Sequence, residues 1–560
     1  MNPVDITLKS PIDHFYHWEK ERPDSIFLRQ PFGNTWTTLT YAEAGQEARK
    51  MAAFLKTLDL ENGDHIGIFS KNCYHWILAD LAIMMGGFVS VPYYASLPKA
   101  QLAEVIEKSD IKLLFVGKLD QWGDRAEAVP SNVQIIRFPH YPGNAEVNQG
   151  LLWTDCTEKQ APLAEDYRPA LDDLWTILFT SGTTGSPKGV MHSFKNPALI
   201  IKGEKEEDFV GLFRAPAQKY FSFLPLNHVA ERIGVEISCL STGGMMSFAE
   251  SIDTFAQNLQ DTQPTILFAV PRIWTKFYLG VLSKMPKKRL DFLFKLPIIS
   301  NLVKKRLLKA LGLGEAQIVA TGAAITPAYL KKWYANLGIH LVEAYGMTEV
   351  CGAISYGTTS ATPNDSVGTA APLCEVKIDE ETGEILMRTA HAMIGYYKEP
   401  EKTAEVLIDG WIHSGDRGTV DAQGYIRVVG RVKDAFKTTK GQFIVPNPME
   451  EKLSKNDFVE QVCITGRTLP QPIALVNLSD LGKMADQKEV FQSLQDDLDQ
   501  INTSLSGYQK ISTIVINKMA WSEENKLLTP TLKVRRGHID DYYGAHLEQW
   551  HESKTAVIWE

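Results

Sequence analysis

Apolar positions along this chain change period repeatedly. Residues 35–40 (TWTTLT) alternate in the two-residue period of a strand, and 41–58 carry apolar side chains at the three-to-four spacing of an amphipathic helix. Asn62-Gly63-Asp64 predicts a turn, 65–69 (HIGIF) a short buried strand, 74–85 a helix, and the segment after Gly86-Gly87 another strand ending at Pro92. Further apolar runs at 174–179, 220–226, 268–270, 317–320 and 340–344 read as strands. Strands separated by helices predict an α/β fold with parallel strands: a large, multi-layer amino-terminal domain of doubly wound subdomains. Residues 1–430 are expected to form that domain and 431–560 a small α+β carboxy-terminal domain.

Length and composition support this division. A chain of 560 residues exceeds what one core holds, and 44% hydrophobic with 22% charged residues is ordinary for a globular protein. The net charge of −9 argues against nucleic acid as a partner. Six scattered cysteines without a CxxC pair are expected to be reduced core residues, and the first residues lack a signal-peptide pattern. The most apolar stretch, 81–91, is too short to span a bilayer and follows Asp80. The expectation is a cytoplasmic protein, at most peripheral to a membrane.

The strand at 174–179 runs into TSGTTGSPKG at 180–189. Thr180, Ser181, Thr183 and Thr184 supply hydroxyls, Gly182 allows close backbone approach, and Lys188 brings a positive charge. Such a loop suits a polyphosphate. It is not a Walker A loop, because Lys188 is followed by Gly189 where that motif needs Ser or Thr.

Further motifs follow in order: TGAA at 321–324, YGMTE at 345–349, HSGD at 413–416, GRVKD at 430–434 and TLKVRR at 531–536. Together with the loop they resemble the adenylate-forming superfamily, and PRIW at 271–274 is similar to its long-chain fatty acyl-CoA synthetase branch. The resemblance covers nearly the whole chain. It implies that Gly322, Ala323, Ala324 and the Tyr345-Gly346 pair hold adenine, that Thr348 touches the α-phosphate and that Glu349 holds Mg²⁺. It further implies Asp416 and Arg431 at the ribose or phosphates, Lys433 as the hinge about which a mobile carboxy-terminal domain turns, and Lys533 as the catalytic cation bridging carboxylate and α-phosphate. His228 would line the acyl pocket, although a lone histidine after a strand is also an ordinary structural residue. Lys437, Lys440 and Gly441 would meet coenzyme A, the alternative being a solvated hairpin. Many relatives carry Gly before the catalytic lysine, where this chain has Leu532.

The expected reaction is ATP-dependent activation of a medium- to long-chain fatty acid to acyl-AMP with pyrophosphate release, then transfer to coenzyme A. A second reading passes the acyl group to a carrier-protein thiol or another nucleophile. A third, a non-catalytic lipid or nucleotide sensor, is disfavoured because Lys188, Glu349, Asp416 and Lys533 are all present. One stretch stands outside this scheme: residues 284–309 hold nine basic residues against the single acid Asp291, interleaved with apolar ones. It reads either as a solvated helix pair or as a surface for anionic lipid.

Overall fold

The computed structural model describes residues 8–180, 186–215, 218–358, 361–529 and 532–560. Two large sheets form the amino-terminal part. The first has eight strands, in the order Gly395–Tyr396, Lys188–Ser193, Leu174–Thr180, Val89–Tyr93, His65–Phe69, Leu113–Val116, Gln134–Arg137 and Leu151–Leu152. From Leu174–Thr180 outward its neighbours run parallel, while Lys188–Ser193 folds back antiparallel with Thr180 opposite Lys188. The second has nine strands, among them the parallel series Leu341–Met347, Ile318–Gly322, Ile266–Ala269 and Lys219–Ser222. The doubly wound reading holds for the centre of both sheets, with antiparallel strands at the edges.

The helix Tyr74–Gly86 is buried along nearly its whole length, and it belongs to one apolar core that takes side chains from both sheets. Asp80, on this helix, is fully buried: it receives Arg232 Nη2 at 2.9 Å and the Ser90 hydroxyl at 2.5 Å. Arg232 also pairs with Glu236 at 3.2 Å, so the charges are taken out of water together. The acid next to the most apolar run therefore marks an internal ion-pair cluster, and no described helix is long and apolar enough to cross a membrane.

Two strand boundaries differ from expectation. The strand at 220 stops at Ser222, because Pro225 cannot continue a ladder and the backbone turns toward His228. The strand at 341 continues through Tyr345, Gly346 and Met347, paired antiparallel to Gly352–Tyr356 with a register shift at Tyr345/Gly346. Only Thr348 and Glu349 of that motif lie in the following turn.

A five-stranded antiparallel sheet spans 374–431, with Asp416 directly opposite Arg431. After the short turn Val432–Asp434, a smaller α+β unit follows. Its four-stranded sheet (Val459–Thr465, Ile473–Leu478, Ile514–Ile516, Val557–Trp559) is covered by the helix Gln487–Thr503, which buries Val490, Leu494, Leu498 and Ile501. Two polar contacts tie this unit to the helix Pro271–Lys284: Arg272 to Glu460 at 2.8 Å and the Tyr278 hydroxyl to Asp457 at 2.7 Å.

Candidate active site

A cavity of about 2010 Å³ lies where the two large sheets, the five-stranded sheet and the small unit meet. A drug-sized ligand needs about half of that or less, so there is room for more than one reactant. Thr180, Lys188, His228, Ala323, Ala324, Tyr345, Gly346, Thr348, Glu349, Asp416, Arg431, Lys433 and Lys533 all line it. Residues widely separated in sequence thus converge on one cavity. Ser181, Gly182, Thr183 and Thr184 lie outside the described residues. Gly322 closes the strand behind Ala323, which itself takes φ +65°, an unusual backbone for a residue with a side chain. Lys437, Lys440 and Gly441 do not line the cavity; they sit on the hairpin of Phe436–Lys437 and Phe443–Ile444, where Lys437 covers the Phe443 ring at 4.8 Å.

Glu349 is buried, and its Oε1 accepts a 2.7 Å hydrogen bond from the Tyr396 hydroxyl. The same Tyr396 ring lies 4.8 Å beneath the Lys188 ammonium. One aromatic residue therefore orients Glu349 and Lys188 at once. Neighbouring Thr348 is held from behind: His192 Nε2 donates to its carbonyl at 2.8 Å. Burial lowers the His192 pKa from 6.5 to about 4, so the ring is neutral at pH 7 with its proton on Nε2. Gly346 is required where it stands, since a Cβ there would come 1.9 Å from the Gly352 carbonyl oxygen.

Asp416 accepts from the Tyr345 hydroxyl at 2.9 Å and pairs with Arg431 at 3.2 Å. Burial raises its pKa, and this outweighs the opposing pull of Arg431, the Tyr345 hydroxyl and Lys533. Lys533 comes from the small unit. It keeps exposed surface within the cavity, but the protein crowded around it, followed by Arg431, pushes its pKa below the usual lysine range against the attraction of Asp416. Its charge also reaches His228, whose pKa falls to about 3, mainly through burial. His228 Nδ1 accepts from the Ala230 N–H at 3.2 Å, so it caps the short helix that follows it while lining the cavity.

Leu532 adopts φ +62°, the left-handed region that glycine enters without penalty. The glycine of many relatives thus has a backbone reason, which this chain meets with a strained leucine whose side chain packs against the buried cluster that includes Leu475, Trp521 and Leu527.

One arm of the cavity is apolar, lined by Ile201, Phe209, Leu212, Val229, Ile233 and Tyr356. Its wall at 210–212 is shaped by Glu204, which accepts backbone N–H bonds from Val210, Gly211 and Leu212. Sequence reasoning missed Tyr396, His192 and Glu204. Tyr396 is brought to Glu349 only by the pairing of Gly395–Tyr396 with Lys188–Ser193, for which the sequence carries no short-range signal.

Residues 15–397 match the family model described as AMP-binding enzyme, and 433–555 match the AMP-binding enzyme C-terminal domain. A long-chain-fatty-acid–CoA ligase of Mycobacterium bovis is 25% identical over 582 residues, covering 95% of this chain and 95% of the relative. Long chain acyl-CoA synthetase 2 of Arabidopsis thaliana is 26% identical, covering 99% and 94%. The fold is similar to that of the A domain of a carboxylic acid reductase from Segniliparus rugosus, solved with AMP and a co-purified carboxylic acid. The TM-score is 0.81 at 23% identity, over 98% of this chain and 95% of that one.

Proposed function

The chain belongs to the AMP-binding enzyme family, and on that premise we propose that it activates a fatty acid with ATP and transfers the acyl group to coenzyme A. The observation that carries this reading is the gathering of Lys533, Asp416 and Arg431 on one cavity, together with Thr348, Glu349 and a set of apolar side chains. In the first step a carboxylate oxygen of the fatty acid attacks the α-phosphorus of ATP, and the bond to the β-phosphate oxygen breaks as pyrophosphate leaves. Attacker and target are both anionic, so the barrier is lowered by cations fixed before the reactants meet. Lys533 would lie between carboxylate and α-phosphate, and Lys188 beside the departing phosphates. Asp416 would accept from the ribose hydroxyls, and Tyr345 would lie along the adenine.

The donor set also suits Mg²⁺. Among the described residues no group of three or more His, Cys, Asp or Glu side chains could hold a metal alone, while Glu349 offers one oriented carboxylate. Mg²⁺ commonly takes one or two carboxylates and completes its shell with phosphate oxygens and water. Bound there, it would supply positive charge to the phosphates.

In the second step the thiol of coenzyme A gives up its proton and attacks the acyl carbon, and the bond to AMP breaks. Lys437, Lys440 and Gly441 stand away from the cavity, so this step requires the small unit to turn about Lys433 and bring their hairpin inward. Residues 1–430 and 431–560 would then act as the two moving bodies.

The test is pyrophosphate release from the full chain across acids of increasing length, with products identified in the presence of coenzyme A or a phosphopantetheinylated carrier protein. Release that depends on a long acid, with acyl-CoA as product, is expected. Acylation of the carrier alone would establish the second reading, and release independent of added acid would overturn both.

A further inference from the structure

The stretch at 284–309 folds as two helices, Lys287–Phe294 and Pro297–Ala310, packed on each other at the end of the helix Pro271–Lys284. The first turn of Pro271–Lys284 lines the cavity at Arg272, and its fourteen residues carry the chain ~20 Å away from it. Leu290, Phe294, Val303, Leu307 and Leu308 turn inward onto a core. The outward face is different. Phe292, Ile299 and Leu302 are 61%, 45% and 55% exposed, and on Pro297–Ala310 they share their side with Arg306 and Lys309 at helical spacing.

None of the nine basic residues of this stretch (Lys284, Lys287, Lys288, Arg289, Lys295, Lys304, Lys305, Arg306, Lys309) forms an ion pair among the described residues. Elsewhere twenty lysines and arginines form ion pairs, and the net charge of the protein is −9. A solvated helix face does not need three large apolar side chains in water at the centre of an unneutralised positive field. Both features are accounted for together by a surface that is anionic at its rim and apolar below.

We propose that this helix pair is a docking surface for an anionic lipid bilayer, with Phe292, Ile299 and Leu302 entering the acyl boundary and the lysines and arginines meeting the headgroup phosphates. The occupant is a bilayer rather than an acidic protein because the apolar residues are scattered along two helices as separate wedges, not gathered in a groove. Docked there, the protein stands at the layer in which long-chain acids dissolve. This consequence rests on the proposed fatty acid substrate; the docking itself does not.

The test is co-sedimentation of the full chain with vesicles of phosphatidylcholine and of phosphatidylcholine mixed with phosphatidylglycerol. Binding only to the phosphatidylglycerol vesicles, released by salt, is expected. Lys305→Glu/Arg306→Glu/Lys309→Glu should weaken it by roughly a hundredfold, from the contribution typical of each basic residue near such a surface. Phe292→Ser/Ile299→Ser/Leu302→Ser should weaken it at constant charge, and thermal unfolding reports whether each variant is folded. Equal partition onto both vesicle types, no partition, or folded variants that bind like the parent would overturn the proposal. So would binding of an acidic carrier protein that is lost in the charge-reversal variant while vesicle binding persists. None of these readouts uses catalysis, so they stand apart from the test of the reaction.

Discussion

The Tyr396 hydroxyl donates to Glu349 Oε1 at 2.7 Å while the face of the same ring supports the Lys188 ammonium at 4.8 Å. Two groups of opposite charge are thus positioned by one side chain. Tyr396→Phe keeps the ring and removes the hydrogen bond to a carboxylate, an interaction worth about 1.5–3 kcal/mol. Acid-dependent pyrophosphate release at limiting ATP should fall on the order of tenfold, and further in Tyr396→Ala, where the support for Lys188 is lost too. Unchanged kinetics in Tyr396→Phe would show that Glu349 is oriented by other means.

Burial, followed by Arg431, holds the Lys533 pKa below the usual lysine range, and Asp416 pulls it back up. Its ammonium must be charged to bridge two anions, so adenylation should decline on the alkaline side, earlier than an ordinary lysine would dictate. Arg431→Gln removes a neighbour that lowers the Lys533 pKa and should move this limb to higher pH. Asp416→Asn removes the one that raises it and should move the limb down. The pH profile of pyrophosphate release for the three proteins checks this, and shifts in the same direction would contradict the assignment of the limb to Lys533.

At Leu532 the backbone angle reverses the usual order of substitution. Leu532→Ala and Leu532→Gly both lose the packing against the buried cluster around Trp521 and Leu527, but alanine retains the strain of φ +62°. The glycine variant should be the more stable of the two by about 1 kcal/mol. Thermal unfolding of the pair measures it; the opposite order would mean that the segment changes conformation on substitution.

Gly234 lies in the wall of the cavity, and a Cβ added there meets nothing within 4 Å. Gly234→Phe should therefore grow into open space with little effect on folding and shorten the apolar arm. Long acids should lose activity by tenfold or more while short ones keep theirs, as read from a chain-length panel. Equal losses at every length would place Gly234 outside the acyl path.

Buried, neutral histidines set an acid limit on stability. His192 and His391 are lowered to about 4 and His75 to about 3, each chiefly by burial. For a base lowered on folding, the unfolded chain binds more protons between about 4 and 6.5, so stability falls as pH drops through that window. Each such histidine costs about 2 kcal/mol at pH 5. The melting temperature should drop between pH 7 and pH 5, and the drop should be smaller in His192→Asn.

The motif residues were legible because each needs a particular local chemistry: hydroxyls and glycine before Lys188, small residues at 322–324, and an acid after Thr348. The parallel strands were legible for the same kind of reason, since burial on both faces leaves continuous β-branched and aromatic runs such as 174–179. These are short-range constraints, written within a few residues of one another. What only the tertiary structure decided is long-range: that Tyr396 reaches Glu349, that His192 holds Thr348 from behind, and that the hairpin bearing Lys437 and Lys440 stands outside the cavity. Asp80 belongs here too: the acid just before the most apolar stretch is the buried partner of Arg232. Such contacts join residues up to 156 positions apart and depend on which strands pair and which helix is enclosed. No local propensity encodes a distance of that kind, so the sequence by itself determined the reactive groups and the folding determined which of them stand together.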